Sequence, residues 1–329
     1  MTAEWRNVTE RFHGFIRSLQ LSPLEKQRAQ SAAMEIGHAL RQHFRSKGHP
    51  APLRLNVEHS SLRESDYLLI GGHAKGTALR PARLIDMVFV LPRGMRPVAE
   101  NRRDTELILD EMAVALNGKF AASESPGGEW LRVRSFDDVA IRLIPAFRTT
   151  GDNLIVALPR SSKMWLAMNP AAEFTHLRGA DLSSGGKATH LIKMLKAWRG
   201  HREVPITPFA LELMVCEFVH AWTYMRRSLL FYDWMIRDFF FWAAHQAGRE
   251  ILTPVALECV ALGDRWLEQA ERAHELAQTA CAMERENCDA EAIACWCDVF
   301  GPHFTPLATT PPPPPPSTKT LPPDHVDLL

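Results

Sequence analysis

The sequence predicts an α+β unit joined to a helical one. Two observations carry this. Strand-like runs, interrupted by a helix, occupy residues 67–147, and from about residue 182 onward the pattern is helical. Strands with interspersed helices, giving way to helices alone, describe that architecture. With 329 residues, 46% of them hydrophobic, the chain can bury two cores of ordinary size. We place the units at 1–165 and 166–306, followed by a flexible tail at 307–329.

The first element is helical. Phe12, Phe15, Ile16 and Leu19, then Ala32, Ile36, Ala39, Leu40 and Phe44, recur at three-four spacing. Between them, Ser22, Pro23 and Glu25 carry the signature of a helix N-terminus, so a break and a long second helix are expected there. Strands follow at Tyr67–Gly72, Leu84–Pro92, Leu131–Phe136 and Asp138–Phe147, with a helix over about Asp104–Asn117. Gly118 and "ESPGG" mark breaks. The helical half begins with "LIKMLKAW", whose stripe is Leu191, Ile192, Leu195 and Trp198. Further helices are expected at Pro208–Arg226, Leu229–Ala247, Pro254–Arg285 and Asp289–Phe300. The aromatic run Leu229–Trp242 reads as helical core. The tail "TTPPPPPPSTKTLPPDHVDLL" reads as extended polyproline, a spacer.

Composition excludes some partners. Lys+Arg and Asp+Glu are both 38, so no global charge favours nucleic acid or a membrane surface. No run has the length and purity of a transmembrane helix, and the N-terminus lacks a signal pattern. A cytoplasmic location is expected, without membrane or nucleic-acid partners. Of the six cysteines, Cys281, Cys288 and Cys295 recur every seven residues, on one face of what reads as a helix. No histidine stands at ligand spacing among them, so we read them as small core residues.

The chemistry concentrates at "LIGGHAKGTALRPARLIDMVFVLP", Leu69–Pro92: a strand, a double-glycine turn, a basic loop, and a strand bearing one acid, Asp86. Nucleotidyl transfer uses two metal ions held by carboxylates, two of which can share a strand face at i and i+2. Glycines at the turn let backbone amides approach phosphates.

These segments, taken in order with "IRLIPAF" (141–147), "LIKMLKAW", "VPITPFALE" and "WCDVFGPHF" (296–304), resemble the cGAS/DncV-like nucleotidyltransferases, or CD-NTases, of bacterial antiphage signalling, within the polymerase-β-like superfamily. The resemblance spans about residues 9–305 and implies a nucleotidyltransferase-like mixed sheet with a long N-terminal helix, plus a C-terminal helical domain. It implies nucleotide-binding roles for Gly71, Gly72, Lys75, Thr77, Lys193 and Lys196, and we add Arg142 as a candidate nucleotide contact on its own chemistry.

The departures are as informative. The family reads D-I-D where this chain reads Leu84-Ile85-Asp86, and its third acid falls on Arg142. Its glycine-serine serine falls on Gly72, and a later nucleotide-contacting serine falls on Pro208. Asp138 precedes Arg142 by two pleats, roughly 13 Å along a strand, too far to substitute for it. Glu64 and Asp66 read as a solvated loop.

One carboxylate holds two Mg²⁺ ions poorly, because Mg²⁺ requires near-octahedral oxygen ligation. We therefore expect no metal cofactor, and a catalytically degenerate protein that binds a nucleotide, a cyclic oligonucleotide or a defence-system protein partner. Arg142 either pairs with Asp86 as a structural link or, with Arg83 and Lys75, binds phosphate directly. The alternative is an active enzyme that uses Asp86 and Mg²⁺ to make a cyclic oligonucleotide from nucleoside triphosphates.

Overall fold

The computed structural model describes residues 3–48, 66–82, 84–95, 102–124, 130–134, 139–149, 153–157, 165–224, 231–254 and 258–304. Arg83, Glu64, Asp137, Asp138 and the proline-rich tail lie outside the described residues.

Two helices open the chain, α1 (Ala3–Leu19) and α2 (Pro23–Ser46). The break between them has a chemical cause. The Ser22 hydroxyl accepts from the Glu25 backbone N–H at 3.2 Å, and the Glu25 carboxylate accepts from the Ser22 backbone N–H at 2.7 Å. This reciprocal capping box starts α2, with Pro23 in its first turn.

Next come β1 (Tyr67–Leu69), the single-turn α3 (Gly71–Ala74), β2 (Ile85–Val90), α4 (Arg102–Leu116), β3 (Ala121–Glu124), β4 (Leu131–Arg134), β5 (Ala140–Arg148), β6 (Leu154–Ala157) and β7 (Trp165–Met168). The strands form one mixed sheet in the order β1-β2-β5-β4-β3, with β6 and β7 continuing from the end of β5. β2 and β5 run parallel, and the other pairs are antiparallel. In that parallel pair Asp86 lies opposite Arg142.

The rest is mainly helical: α5 (Pro170–Ser183), α6 (Lys187–His201), α7 (Pro208–Ala221), α8 (Tyr232–Ala244), the hairpin β8 (Glu250–Leu252) and β9 (Cys259–Ala261), α9 (Leu267–Arg285) and α10 (Asp289–Phe300). The fold class follows the sequence reading, but β3, β6, β7 and α5 are not among the elements expected from sequence, α3 begins where the first strand is expected to end, and two further readings need correction. Residues 254–285 are not one helix: a hairpin precedes α9, because Pro254 ends β8's extension rather than starting a helix. Nor do the cysteines share a helix. Asn287 takes a left-handed φ of 63° and breaks the chain between α9 and α10, so Cys281 is buried on α9 while Cys288 caps α10.

The cores explain the layering. α2 and α4 bury Ile36, Leu40, Phe44, Leu109 and Met112 against one face of the sheet. α1 does otherwise. Its Phe12, Phe15 and Ile16 belong to the helical core, with Trp198, Phe240, Trp296 and Phe304. Phe12 meets Phe304 at a ring separation of 5.1 Å, edge to face. The aromatic run before Trp242 is core as expected, with Phe239 and Phe240 buried, although Phe241 is exposed.

Candidate functional site

The site forms where β1-α3, β2 and β5 face α6 and α7. Asp86 projects from β2, which is otherwise buried. Its Oδ1 lies 3.4 Å from Arg142 Nε on β5. The two form an ion pair without hydrogen-bond alignment, since Nε is a buried atom that makes no hydrogen bond. The Arg142 guanidinium lies over the Trp130 ring, 4.9 Å from its centroid. Burial pushes the Asp86 carboxyl above the usual range, and Arg142, Lys196 and Lys75 only partly oppose it. Leu84 stands just before β2 and offers no ligand atom.

The double-glycine turn expected from sequence is present as the single-turn α3. Gly71 takes φ +61°, and a Cβ there would lie 2.8 Å from Asp86 Oδ2. The turn satisfies its own amides: Thr77 and Ala78 both donate their N–H to the Gly72 carbonyl, at 2.8 and 2.9 Å. A Cβ on Gly72 would lie 3.2 Å from Lys196 Nζ. Lys196 thus occupies the space beside the position where the resembling family carries serine.

Lys196 and Lys75 converge on a residue the sequence reading missed, Glu212 of α7. Glu212 Oε1 accepts from Lys196 Nζ at 2.6 Å and from Thr77 Oγ1 at 2.8 Å. Its Oε2 lies 2.5 Å from Lys75 Nζ. Lys75 also reaches Glu173 of α5 at 3.1 Å and lies over the Phe209 ring at 5.0 Å. The three charged side chains are nearly sealed, at 6%, 11% and 7% exposure for Lys75, Lys196 and Glu212. Their titration differs. Burial would raise the Glu212 carboxyl, but Lys196 and Lys75 hold it below its ordinary range. Lys75 is raised against burial by Glu212 and Glu173. Lys196 is lowered, because burial and the Lys75 charge outweigh its one strong acidic partner.

Lys193, one turn back on α6, is buried and makes no hydrogen bond among the described residues. Burial, Lys26 and Lys196 lower its ammonium, and Asp181 partly restores it. His73 of α3 is lowered too, by burial and then Lys26, and its Nδ1 is buried without a partner. Lys193, His73 and Lys26 therefore share a region of positive potential that Glu212 does not neutralise.

Lys75 and Lys196, expected at a nucleotide site, are both held by Glu212. One expectation needs correction. Asp66 is not a solvated loop residue: it is buried and ion-paired with Arg41. Pro208 opens α7 behind Thr207, whose hydroxyl accepts from the Ala210 N–H at 3.1 Å. One signal for Glu212 was visible in "ALELMVC", an acid alone in an apolar helical run. Glu173 and Trp130 gave none.

The mixed sheet, the long N-terminal helix and the helical half define the class, an α+β nucleotidyltransferase-like fold, in which Asp86 faces Arg142 across β2 and β5. The chain has the cGAS/DncV-like nucleotidyltransferase fold. E. coli CdnC with ATP is similar at 14% identity and TM-score 0.70, over 91% of this chain and 99% of that one. E. coli CdnC in its HORMA-deltaN complex gives TM-score 0.69 at 14% identity, over 92% and 99%. Vibrio cholerae DncV, a cyclic AMP-GMP synthase solved with the linear intermediate pppA(3′,5′)pG, gives TM-score 0.68 at 14% identity, over 90% and 96%. No family model matches the sequence, and no curated protein matches it.

Proposed function

We propose that the protein is a catalytically inactive member of this structural class that binds a nucleotide or cyclic oligonucleotide, in the antiphage-defence setting the resemblance implies. The observation that carries the reading is the Asp86–Arg142 ion pair, in register across two parallel strands. Two-metal catalysis would need carboxylates at 84, 86 and 142. The residues present are leucine, aspartate and arginine, so the site does not fit Mg²⁺. The guanidinium also supplies the charge that would neutralise Asp86.

Ligand contacts then fall to groups that Glu212 does not hold: Arg142, paired with Asp86, and Lys193. Arg142 keeps 39% of its side chain in solvent and can present its remaining N–H donors to a phosphate. Lys193 makes no hydrogen bond among the described residues, and an anion would satisfy its ammonium. Lys75 and Lys196 would have to give up Glu212 first.

The test is calorimetry with nucleoside triphosphates and cyclic dinucleotides in EDTA, beside a turnover assay in Mg²⁺ or Mn²⁺. We expect metal-independent binding, weakened at least tenfold in Lys193→Ala or Arg142→Ala, and no turnover. Metal-dependent product formation abolished by Asp86→Ala would overturn the reading. So would the failure of every nucleotide to bind or to shift the melting temperature, which would leave a structural subunit.

A further inference from the structure

We propose that Asp233, Cys281 and Glu284 form a zinc site buried in the helical half, separate from the Asp86 cleft. One oxygen of each carboxylate and the Cys281 Sγ lie within 4.8 Å of one another. Tetrahedral zinc with oxygen and sulfur ligands spaces its donors roughly 3.3–3.8 Å apart, so the cluster needs little contraction.

The chain builds this cluster from two packed helices. Cys281 and Glu284 stand three residues apart on α9 and share a face. Asp233 enters from the first turn of α8. All three residues are buried, and Asp233 is only 2% exposed.

The case rests on what is left unpaired. Asp233 Oδ1 and Glu284 Oε2 are buried oxygens that no N–H or O–H donor reaches among the described residues, and the two carboxyls can hydrogen-bond each other only if one keeps its proton. The other Glu284 oxygen, Oε1, accepts from Trp296 Nε1 of α10 at 2.9 Å and lies 3.3 Å from Arg11 Nη2 of α1. That arrangement fixes the carboxylate from outside and leaves Oε2 to the cluster, as outer-shell donors do around metal ligands. Orphaned carboxylate oxygens in a buried position are costly, and a cation removes that cost.

Charge and donor type select the ion. Arg11 is shared between Glu284 and the half-exposed Asp289. With Cys281 ionised, the ligands carry three negative charges; zinc offsets two, and the shared Arg11 offsets part of the third. Burial raises all three groups, and the mutual repulsion of Asp233 and Glu284 adds to the shift of Glu284. Metal binding would reverse this by displacing the protons. Mg²⁺ and Ca²⁺ want six or more oxygens, whereas a thiolate with two carboxylates suits four-coordinate Zn²⁺, the last position falling to water.

The experiment uses the full chain, stripped with a chelator and reloaded with Zn²⁺ or Co²⁺. We expect a single ion per chain by elemental analysis and a thiolate-to-Co²⁺ charge-transfer band. The melting temperature should rise with Zn²⁺ and fall with chelator. Cys281→Ser should lose the band and the thermal shift. The double variant Asp233→Asn/Glu284→Gln keeps size and removes charge, so it should stay folded by circular dichroism and bind no ion. An ion retained in Cys281→Ser would mean adventitious binding at Cys259 or Cys288 and would overturn the proposal. So would a wild-type chain that takes up no ion and melts alike with and without chelator, its two carboxyls then sharing a proton.

Discussion

Replacing Glu212 with alanine tests how the cleft is held together. The substitution removes the acceptor of two ammoniums and one hydroxyl, all in nearly sealed positions. Lys75 keeps Glu173 at 3.1 Å, so it remains partly paired. Lys196 keeps only Thr77, through Oγ1 at 2.9 Å and the carbonyl at 3.3 Å. Breaking a buried pair by deleting one partner costs about 3–5 kcal/mol, chiefly from the charge left behind. At roughly 2–4 °C per kcal/mol, the melting temperature should fall by roughly 6–20 °C. Scanning calorimetry reads this directly. Lys196→Met in the Glu212→Ala background should recover part of the loss, because the uncompensated charge goes with it. An unchanged melting temperature in Glu212→Ala, or a further fall in the double variant, would show that this cluster is not what holds α7 to the glycine turn.

The same carboxylate sets a pH dependence. Its folded value lies below its unfolded one, so its contribution is present above the ordinary carboxylate range and disappears as pH falls through the folded value; thermal melts on acidification should show a smaller loss for Glu212→Gln than for wild type. Leu84→Asp with Arg142→Asp should rebuild a three-carboxylate cleft and give Mg²⁺ binding by calorimetry, while no heat of binding would refute the strand alignment. Gly71→Ala combines a left-handed φ of +61° with a Cβ placed 2.8 Å from Asp86 Oδ2, so it should cost more than the about 1–2 kcal/mol of the backbone conformation alone, measured by urea unfolding. Ser22→Ala removes half of a capping box and should cost about 1 kcal/mol in the same assay.

Much of this molecule is legible in its sequence for identifiable reasons. The α2 N-terminus follows from Ser22, Pro23 and Glu25, which act within four residues of one another. The Asp86–Arg142 pairing follows from strand alternation once the two strands are aligned. Glu212 could be suspected but not placed: its partner Thr77 lies 135 positions away, and no local pattern encodes that separation. The hairpin at 250–261 was lost because its strands are three residues each, too short for alternation to outweigh an apolar, helix-like composition. The break at Asn287 falls in the gap left between the expected helices 254–285 and 289–300, and asparagine tolerates the left-handed φ of 63° better than most residues.

The packing of α1 has a consequence for the order of synthesis. Phe12 and Phe15 leave the ribosome long before the rings they pack against, Trp296, Phe300 and Phe304. The sheet with α2 and α4 can close once β7 is made, whereas the aromatic stripe of α1, met earlier by Tyr232 of α8, is fully covered only when α10 emerges. The helical half is therefore completed by α1 docking onto a segment made far later. A nascent intermediate that lacks α10 carries part of that stripe in the open, where a chaperone or a second chain can find it.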